Sequence, residues 1–355
     1  MAGPWGTGPY KLVEGVSTPD KRSDRVVLEA NLEYWDASRF PRLQRIIFDN
    51  TVSQQEAVER VKDDEGRIDL VTDLSPLETL RVAQSPAAQV VKNCGSITTV
   101  FGFFNMRKVG SPWHDVRLRQ AANYAINRDD LIRYATKGNG VIIPALVPVQ
   151  GFGYDPALAP YPFDPATVRR LLREAGSAEG LTLSLIASEG LQVQATVVSK
   201  MLEQAGFTVD LQVLDGNAFN RKTQLGNLEQ PPEDQPWDIA LTAYSDLLNF
   251  PVFQVYCSFA LDGPWNWGIA DEKLHQLHDA VLQTVDREQQ QALIRQMERH
   301  THDQAYFLFL YNPIQLYAVN KAAAFVPYAT MLNLAETGVT EQHWSVRKQK
   351  ASTPE

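Results

Sequence analysis

The chain has 355 residues, of which 44% are hydrophobic and 21% are charged, so it can bury at least one full core and is predicted to form two domains. Its 33 Lys and Arg residues against 42 Asp and Glu residues give a net charge of −9, which disfavours nucleic acid and anionic membrane surfaces as main partners. The most apolar stretches, 141–149 and 307–319, are interrupted by Pro144, Pro148, Asn312 and Pro313, so no membrane-spanning helix is predicted.

Residues 1–10 lack the basic and apolar regions of a secretory signal, so no signal peptide is predicted in this chain. Cys94 and Cys257 make neither a disulfide framework nor a CxxC motif. The cysteines therefore leave open whether they pair and in which compartment the protein works.

Short segments rich in β-forming residues alternate with turn residues at the start of the chain, which predicts strands over 10–13, 25–30 and 43–48. Ser53 and Glu56 have the spacing of a capping box, and a helix of about three turns is predicted to begin there and end near Gly66. Further on, 100–105 is a predicted strand.

One long helix is predicted from Val116 to about Thr136, with Arg117, Arg119, Arg128 and Asp129 on its polar faces. The Pro- and Gly-rich stretch from 138 to 162 is predicted to have no regular structure. Asp164 and Gly176 then mark the two ends of a helix over 166–175.

Strands and helices alternate after residue 180, which predicts a parallel sheet with right-handed crossovers. The predicted strands are 181–187, 208–214 and 238–243, and the predicted helices between them are 191–205 and 217–225. Two helices at 271–283 and 286–302, two strands at 306–311 and 314–319, and a polar tail from 347 complete the chain.

Ligands of open parallel sheets bind beyond the carboxyl ends of the strands, so the segments after the predicted strands are candidate binding segments. They supply Ser188, Glu189, Tyr244 and Asp246 as candidate ligand-binding residues, although plain strand-to-helix turns would explain the same pattern equally well. The aromatic cluster at 265–268 adds Trp267 as a wall and Asn266 as a polar anchor; its other interpretation is a core or surface plug.

A metal site is a weaker possibility on the helices near the C-terminus. His275, His278 and Asp279 are spaced to share one helix face, and His300 and His302 on the next helix can complete a ligand set. An exposed polar helix face explains this pattern better, so we expect no metal and no cofactor. The common catalytic motifs of hydrolases, nucleotide-binding enzymes and metalloproteases do not occur, so no enzymatic activity is expected.

Several segments resemble known motifs, in one consistent order along the chain. They are Gly6-Thr7-Gly8-Pro9-Tyr10, Asn31 to Trp35, Phe103-Phe104-Asn105, Asp115 to Ala121, Tyr124 to Arg128, Phe163-Asp164-Pro165 and Leu171 to Gly176. Together they resemble the family 5 extracellular solute-binding proteins, the peptide, nickel and oligosaccharide receptors of ABC importers. The resemblance runs from residue 6 to about residue 345.

This resemblance implies an α/β fold of the periplasmic-binding-protein-like type II class, with two lobes of which the first is incomplete. Residues 1–95 are then a partial first lobe, 96–319 a second lobe with a parallel α/β sheet, and 320–355 the return to the first lobe and a polar tail. A segment that normally precedes the GTGPY motif is missing, so association through unpaired first-lobe strands is expected.

The function implied by the resemblance is that of the solute-binding component of an importer. It would bind a peptide-like or other polar solute in a cleft between the lobes and deliver it to an ABC permease in the membrane, from a periplasmic or extracellular location. The alternative is a cytosolic ligand-sensing domain of a transcriptional regulator built on the same fold. A hydrolase on this scaffold would need a nucleophile and base pair, which we do not find.

The same resemblance bears on the ligand. The aspartate that holds the amino group in dipeptide receptors falls on Leu247, and the loop at 185–194 has no arginine to hold a carboxylate. An asparagine near the family's cleft matches Asn266. We therefore expect a ligand other than a free dipeptide, such as a longer or modified peptide or a polar non-peptide solute.

Overall fold

The computed structural model describes residues 6–17, 21–246, 257–260, 263–329, 332 and 334–347. The chain divides into two compact units: unit 1 contains residues 1–94 and 315–355, and unit 2 contains residues 95–314. The strand Gln315–Asn320, most of which the sequence prediction assigned to the second lobe, belongs to unit 1. The reason is its pairing, since it forms an antiparallel ladder with Ala88–Asn93.

The described strands, numbered in chain order, are β1 Tyr10–Glu14, β2 Arg25–Ala30, β3 Arg45–Asp49, β4 Leu70–Val71, β5 Ala88–Asn93, β6 Thr98–Phe104, β7 Gly140–Ile142, β8 Leu181–Ser188, β9 Phe207–Leu214, β10 Ile239–Ser245, β11 Phe307–Pro313, β12 Gln315–Asn320, β13 Ala323–Ala324 and β14 Gly338–Val339. The described α-helices are α1 Gln54–Val61, α2 Thr79–Ala83, α3 Val116–Ala125, α4 Arg128–Ala135, α5 Pro165–Glu174, α6 Gln192–Gln204, α7 Gly216–Thr223, α8 Glu272–Gln283 and α9 Arg287–Asp303. None of the helices in this described part is long and apolar enough to cross a membrane.

Unit 1 contains two small antiparallel sheets, β1-β2-β3 and β4-β12-β5, and the short pair β13 and β14. The predicted N-cap at Ser53 is confirmed, because the Ser53 hydroxyl accepts a hydrogen bond from the Glu56 amide at 3.3 Å. Helix α1 has two turns instead of the predicted three. The chain folds back after Val61, and a side chain at Gly66 would meet the Arg60 carbonyl oxygen at 1.8 Å.

Unit 2 is built on a six-stranded sheet with the order β7-β11-β6-β10-β8-β9. Strand β8 runs parallel to both β9 and β10, as predicted, but β6, β7 and β11 pair antiparallel to their neighbours. The prediction of a parallel sheet is therefore wrong for half of it. Strands that are buried on both faces, such as β6, have the same mainly apolar pattern in either arrangement, so the pattern does not reveal their direction.

Aromatic rings fill the interior around β6 and β11. Phe101, Phe103 and Phe307 meet edge to face, with centroid separations of 5.0–5.8 Å. This geometry is favourable because the positive edge of one ring faces the negative face of the next. Trp113 and Trp237 belong to the same interior, and each is at most 1% exposed. This core holds the sheet as one rigid layer for the loops at its ends.

The predicted long helix over 116–136 is two helices, α3 and α4, joined by an elbow at Ile126 and Asn127. The Ile126 backbone is extended, with ψ 113°, and the Asn127 side chain accepts a hydrogen bond from the Asp130 amide at 3.1 Å. An asparagine that caps a new helix ends the preceding one, although the apolar periodicity continues through the break.

Two arginines predicted on polar helix faces are buried, which corrects the sequence interpretation. Arg119 is 1% exposed and donates to the carbonyls of Trp113, His114 and Gln304. Arg128 is 4% exposed and is likewise surrounded by carbonyl oxygens. A buried guanidinium is stable here because its five donors satisfy backbone acceptors from several segments.

The Pro- and Gly-rich stretch contains one short strand, β7, which the sequence analysis missed. The rest is irregular, as predicted, and is attached to α9. Arg295 Nε donates to the Tyr154 carbonyl at 3.1 Å, Arg299 Nε lies 2.5 Å from the Asp155 carboxylate, and the Tyr161 hydroxyl donates to the His302 carbonyl at 2.6 Å. Contacts with one helix therefore hold this irregular loop in place.

The helix predicted over 166–175 is confirmed at both ends as α5. The Asp164 carboxylate accepts from the amides of Ala166 and Thr167 at 3.0 and 3.1 Å, and Gly176 has φ +76°. The first residue of the helix is Pro165, where its missing amide proton costs no hydrogen bond.

Candidate functional site

The connections of the unit 2 sheet change direction between β8 and β10. From β8 the chain passes through α6 to β9 on one side, and from β10 it continues through α8 and α9 to β11 on the other. Loops that leave neighbouring strands in opposite directions open a crevice at their carboxyl ends, which is where ligands of open α/β sheets bind. Ser188 and Ser245 end the two strands at this place.

We call the segments at this end of the sheet the carboxyl-end edge: residues 96–98, 188–194, 214–217, 244–246 and 311–313. They contain the carboxylates of Glu189, Asp215 and Asp246 and no Lys or Arg. Asp215 caps α7 through the amides of Asn217 and Ala218. The described part of the edge is therefore acidic.

Ser188 and Glu189 lie where β8 passes into a short 3-10 helix, Glu189–Leu191, that leads into α6. Ser188 is half-buried and Glu189 is exposed. Nearby, Gln194 Nε2 of α6 donates to the hydroxyl of Tyr311 at the end of β11, at 3.2 Å. Burial raises the pKa of Tyr311 to about 12, so this phenol is neutral at physiological pH.

Tyr244 lies in β10, and Asp246 lies two residues further on, just after the strand ends, on the same side of an extended chain. Tyr244 is 9% exposed, and its ring meets that of Trp265 at 5.4 Å. Burial raises the pKa of its phenol well above the usual value, and the nearby Cys257 and Asp246 add to the effect. Asp246 is 2% exposed, and its amide donates to the Ile97 carbonyl at 3.2 Å.

The structure thus brings four of the six predicted ligand residues, Ser188, Glu189, Tyr244 and Asp246, to one edge. Leu247, at the position where dipeptide receptors have an aspartate, lies outside the described residues, as does the rest of 247–256.

Trp267 does not lie at this edge but at the opposite end of the sheet, where it lines a pocket together with Met106 and Asn266, so a ligand wall at Trp267 stays a prediction. Its carbonyl accepts from the Met106 amide at 3.1 Å, just beyond the opposite end of β6. Its indole is 1% exposed, donates to the Thr223 carbonyl at 2.7 Å and packs on Trp237 at 4.6 Å. A seven-residue strand such as β10 is about 20 Å long, which separates Trp267 from Asp246.

Asn266 is also a structural residue in this arrangement. Its amide nitrogen donates to the Ala260 carbonyl at 2.8 Å, and its amide oxygen accepts from the Gly268 amide at 3.1 Å. Both functional atoms of the side chain therefore close the local turn. Because an asparagine beside a glycine has the same local pattern in either role, a ligand anchor at Asn266 stays a prediction.

The histidines on α8 and α9 do not form a metal site: among the described residues, no group of three His, Cys, Asp or Glu side chains can hold a metal ion. His300 Nε2 instead lies 2.7 Å from Asp271 Oδ2, and the Tyr306 hydroxyl donates to the same oxygen at 2.5 Å. Asp271 also caps α8 through the Leu274 amide at 2.9 Å. One carboxylate therefore joins α8, α9 and the residue just before β11.

Replacing Asp271 with Asn is expected to destabilise unit 2 by about 1 to 2 kcal/mol, because charge-assisted hydrogen bonds from two elements are weakened. Partial burial alone would raise the pKa of Asp271, but hydrogen bonds from Tyr306 and His300 lower it to about 2. Its stabilising effect is thus present above pH 4 and lost as the pH falls through about 2. Thermal unfolding at pH 7 and 3 measures this, with exposed Asp279→Asn as the control; equal melting temperatures for the two variants would contradict it.

A buried polar network behind the carboxyl-end edge escaped the sequence analysis. Asn312 Nδ2 donates to the Thr98 carbonyl and to Thr99 Oγ1, both at 2.9 Å, and its Oδ1 accepts from the Val149 amide at 3.2 Å. Glu298 Oε2 accepts from the Val147 amide at 2.7 Å. A single polar residue within the apolar strand β11, and a Glu at a core position of α9, were the available signals.

Comparisons with known proteins agree with this architecture. The family model "Bacterial extracellular solute-binding proteins, family 5 Middle" matches residues 1–265. The chain is 27% identical over 184 residues to the dipeptide-binding protein of Escherichia coli K12, covering 52% of this chain and 32% of that protein. It is 24% identical over 330 residues to di/tripeptide-binding protein 2 of Pseudomonas aeruginosa UCBPP-PA14, covering 90% and 58%. The chain therefore spans from a third to about three fifths of these relatives.

Solved structures share the fold. The ABC transporter substrate-binding protein CtaP of Listeria monocytogenes superposes with a TM-score of 0.79 at 22% identity, covering 95% of this chain and 67% of that one. DppA of Helicobacter pylori, solved with the peptide STSA, gives 0.71 at 19% identity, covering 96% and 62%. The α/β fold of the periplasmic-binding-protein-like type II class is thereby confirmed.

Proposed function

The chain belongs to family 5 of the bacterial extracellular solute-binding proteins, and on that premise we propose that it binds a peptide-like or other polar solute for delivery to the permease of an ABC importer. Proteins of this family bind solutes and are not enzymes, and they work in the periplasm or outside the cell. The work of this chain is accordingly binding and release, without bond chemistry.

The observation that supports a location for the solute is the change in connection direction at the carboxyl ends of β8 and β10. Glu189 and Asp246 supply carboxylates there, and the ring of Tyr244 supplies apolar area on the same side as Asp246. We propose these three residues and Ser188 as the solute contacts of unit 2. Asn266 and Trp267 lie away from this edge, and their side-chain donors bond to backbone carbonyls, so the edge residues are the contacts proposed.

The acidic character of the edge supports a particular class of solute. A cationic group, such as the ammonium of a peptide, gains a charge-assisted hydrogen bond from Glu189 or Asp246. A free carboxylate buried without a cation costs several kcal/mol, and the described edge offers no Lys or Arg. The proposed solute is therefore a longer or modified peptide, or another polar solute with a positive group, and not a free dipeptide.

Calorimetric titration of the full chain with a tetrapeptide in three forms tests this proposal. Acetylation of the amino terminus is expected to weaken binding about tenfold or more, because the cation is lost, whereas amidation of the carboxyl terminus is expected to change it little. The reverse order would contradict the assigned chemistry. Micromolar binding of unmodified dipeptides that is unaffected by Tyr244→Ala would contradict both the solute class and the site.

Matched variants then locate the amino-group contact. Glu189→Gln and Asp246→Asn are expected to reduce the difference between the free and acetylated peptides. Glu179→Gln is the control, because Glu179 is exposed just before the opposite end of β8. If Glu179→Gln has the same effect as the two edge variants, the contact does not lie at the carboxyl-end edge.

A further inference from the structure

Glu298 is a buried carboxyl on α9 whose partners are backbone amides. The residue is 4% exposed, and Oε2 accepts from the Val147 amide at 2.7 Å. The Leu146 amide also hydrogen-bonds to the carboxyl group. Two successive amides of the 143–162 loop therefore face one acid, and the loop is seated on the helix through it.

The charges around Glu298 do not neutralise it. The 143–162 loop contributes Asp155, which pairs with Arg299, and strands β6 and β11 contribute no charged residue. Helix α8, which packs on α9, contributes His278, whose Nδ1 faces Asp279 at 3.3 Å, and Arg295 of α9 itself donates to the Tyr154 carbonyl. Burial raises the pKa of Glu298 to about 7: it outweighs the lowering effect of the Val147 and Leu146 amides, and the Asp155 charge adds to the rise.

The loop segment held by Glu298 is connected to the carboxyl-end edge by hydrogen bonds. Thr99 Oγ1 donates to the Leu146 carbonyl at 2.9 Å and accepts from Asn312 Nδ2 at 2.9 Å. Asn312 also donates to the Thr98 carbonyl, and the Thr98 hydroxyl lies 2.7 Å from that of Ser245. Ser245 lies between Tyr244 and Asp246, so the seating of 146–149 bears directly on the end of β10.

We propose that Glu298 is a proton-sensitive positioning residue: its protonated form keeps residues 146–149 seated, and loss of the proton loosens this segment and, with it, the carboxyl-end edge. The coupling to solute binding rests on the function proposed above. The direction follows from burial, since an ionised carboxyl without a cation gains hydration free energy when the loop opens.

Amide hydrogen exchange of Leu146 and Val147 tests the seating without any solute. For an acid whose pKa is about 7 when seated and about 4.5 when hydrated, the opening equilibrium increases about tenfold from pH 6 to pH 8, beyond ordinary base catalysis of exchange. We expect this increase in the wild type and in Glu288→Gln, an exposed site on the same helix, and no increase in Glu298→Gln. Wild-type opening that is independent of pH overturns the proposal, whatever the variants do.

A second arm measures the dissociation constant of the unmodified tetrapeptide at pH 6 and pH 8. The peptide's own amino group titrates near pH 8, so the comparison is between Glu298→Gln and Glu288→Gln at each pH. From pH 6 to pH 8 the dissociation constant is expected to rise more in Glu288→Gln than in Glu298→Gln, by a factor of up to about ten. Equal pH profiles overturn the coupling. If exchange behaves as expected and no peptide binds at either pH, the proposed function fails while the proton-sensitive seating stands.

Discussion

Replacing Arg128 with Met is expected to reduce the free energy of unfolding of unit 2 by about 3 to 5 kcal/mol. Arg128 Nε donates to the Phe309 carbonyl at 2.8 Å, and its terminal nitrogens donate to the carbonyls of Tyr161, Ile126 and Asn123 at 2.9–3.2 Å. Methionine fills a similar volume but removes the guanidinium donors from these buried carbonyls. The arginine therefore joins the elbow after α3, the strand β11 and the end of the 143–162 loop.

Chemical denaturation followed by tryptophan fluorescence measures the effect. Arg133→Met is the matched control, because Arg133 lies on the same helix, α4, with its side chain 71% exposed. It is expected to change stability by less than about 0.5 kcal/mol. Similar losses in both variants would mean that helix propensity, and not the buried hydrogen bonds of Arg128, determines the result.

The second large effect is a pH dependence of stability that comes from Glu298. Burial raises the pKa of this carboxyl to about 7 in the folded chain, against 4.5 for an ordinary glutamate. Its stabilising effect is fully present below pH 4.5 and is lost as the pH rises through 7. From pH 5 to pH 8 the wild type is thus expected to lose about 2 to 3 kcal/mol relative to Glu298→Gln.

Denaturation at pH 5 and pH 8 gives the change in the free energy of unfolding for each protein. Subtracting the change in Glu298→Gln from the change in the wild type removes the contributions of the other titrating groups. Glu288→Gln is expected to follow the wild type at both values. A Glu298→Gln profile parallel to the wild-type profile would show that the carboxyl ionises without cost, and would contradict the burial of an uncompensated charge.

Local signals in the sequence predicted most of the helices and strands. They failed where the outcome depends on contacts that are distant in the sequence or on a cap hidden in a continuous periodicity. Asp164, Pro165 and Gly176 define α5 because caps act within one turn of the chain. The elbow at Ile126 and Asn127 was missed because helical periodicity continued through it, and an asparagine cap looks like any polar residue on a helix face. The directions of β6 and β11 depend on distant connections and cannot be read from their apolar runs.

The candidate site was predictable only where it follows from topology. Ser188, Glu189, Tyr244 and Asp246 follow parallel strands, and parallel strands end at one edge whatever their side chains are. Asn266 and Trp267 were assigned from residue type and resemblance, and their backbone partners, Ala260 and Thr223, could not be foreseen. Arg119, Arg128 and Glu298 were missed as buried groups because charged residues are usually exposed.

A crystal structure of the chain with the unmodified tetrapeptide tests the central claim most directly. The account predicts that the amino nitrogen of the peptide lies about 3 Å from a carboxylate oxygen of Glu189 or Asp246, with the peptide against the ring of Tyr244. A peptide bound at the opposite end of the sheet, beside Met106 and Trp267, would contradict it.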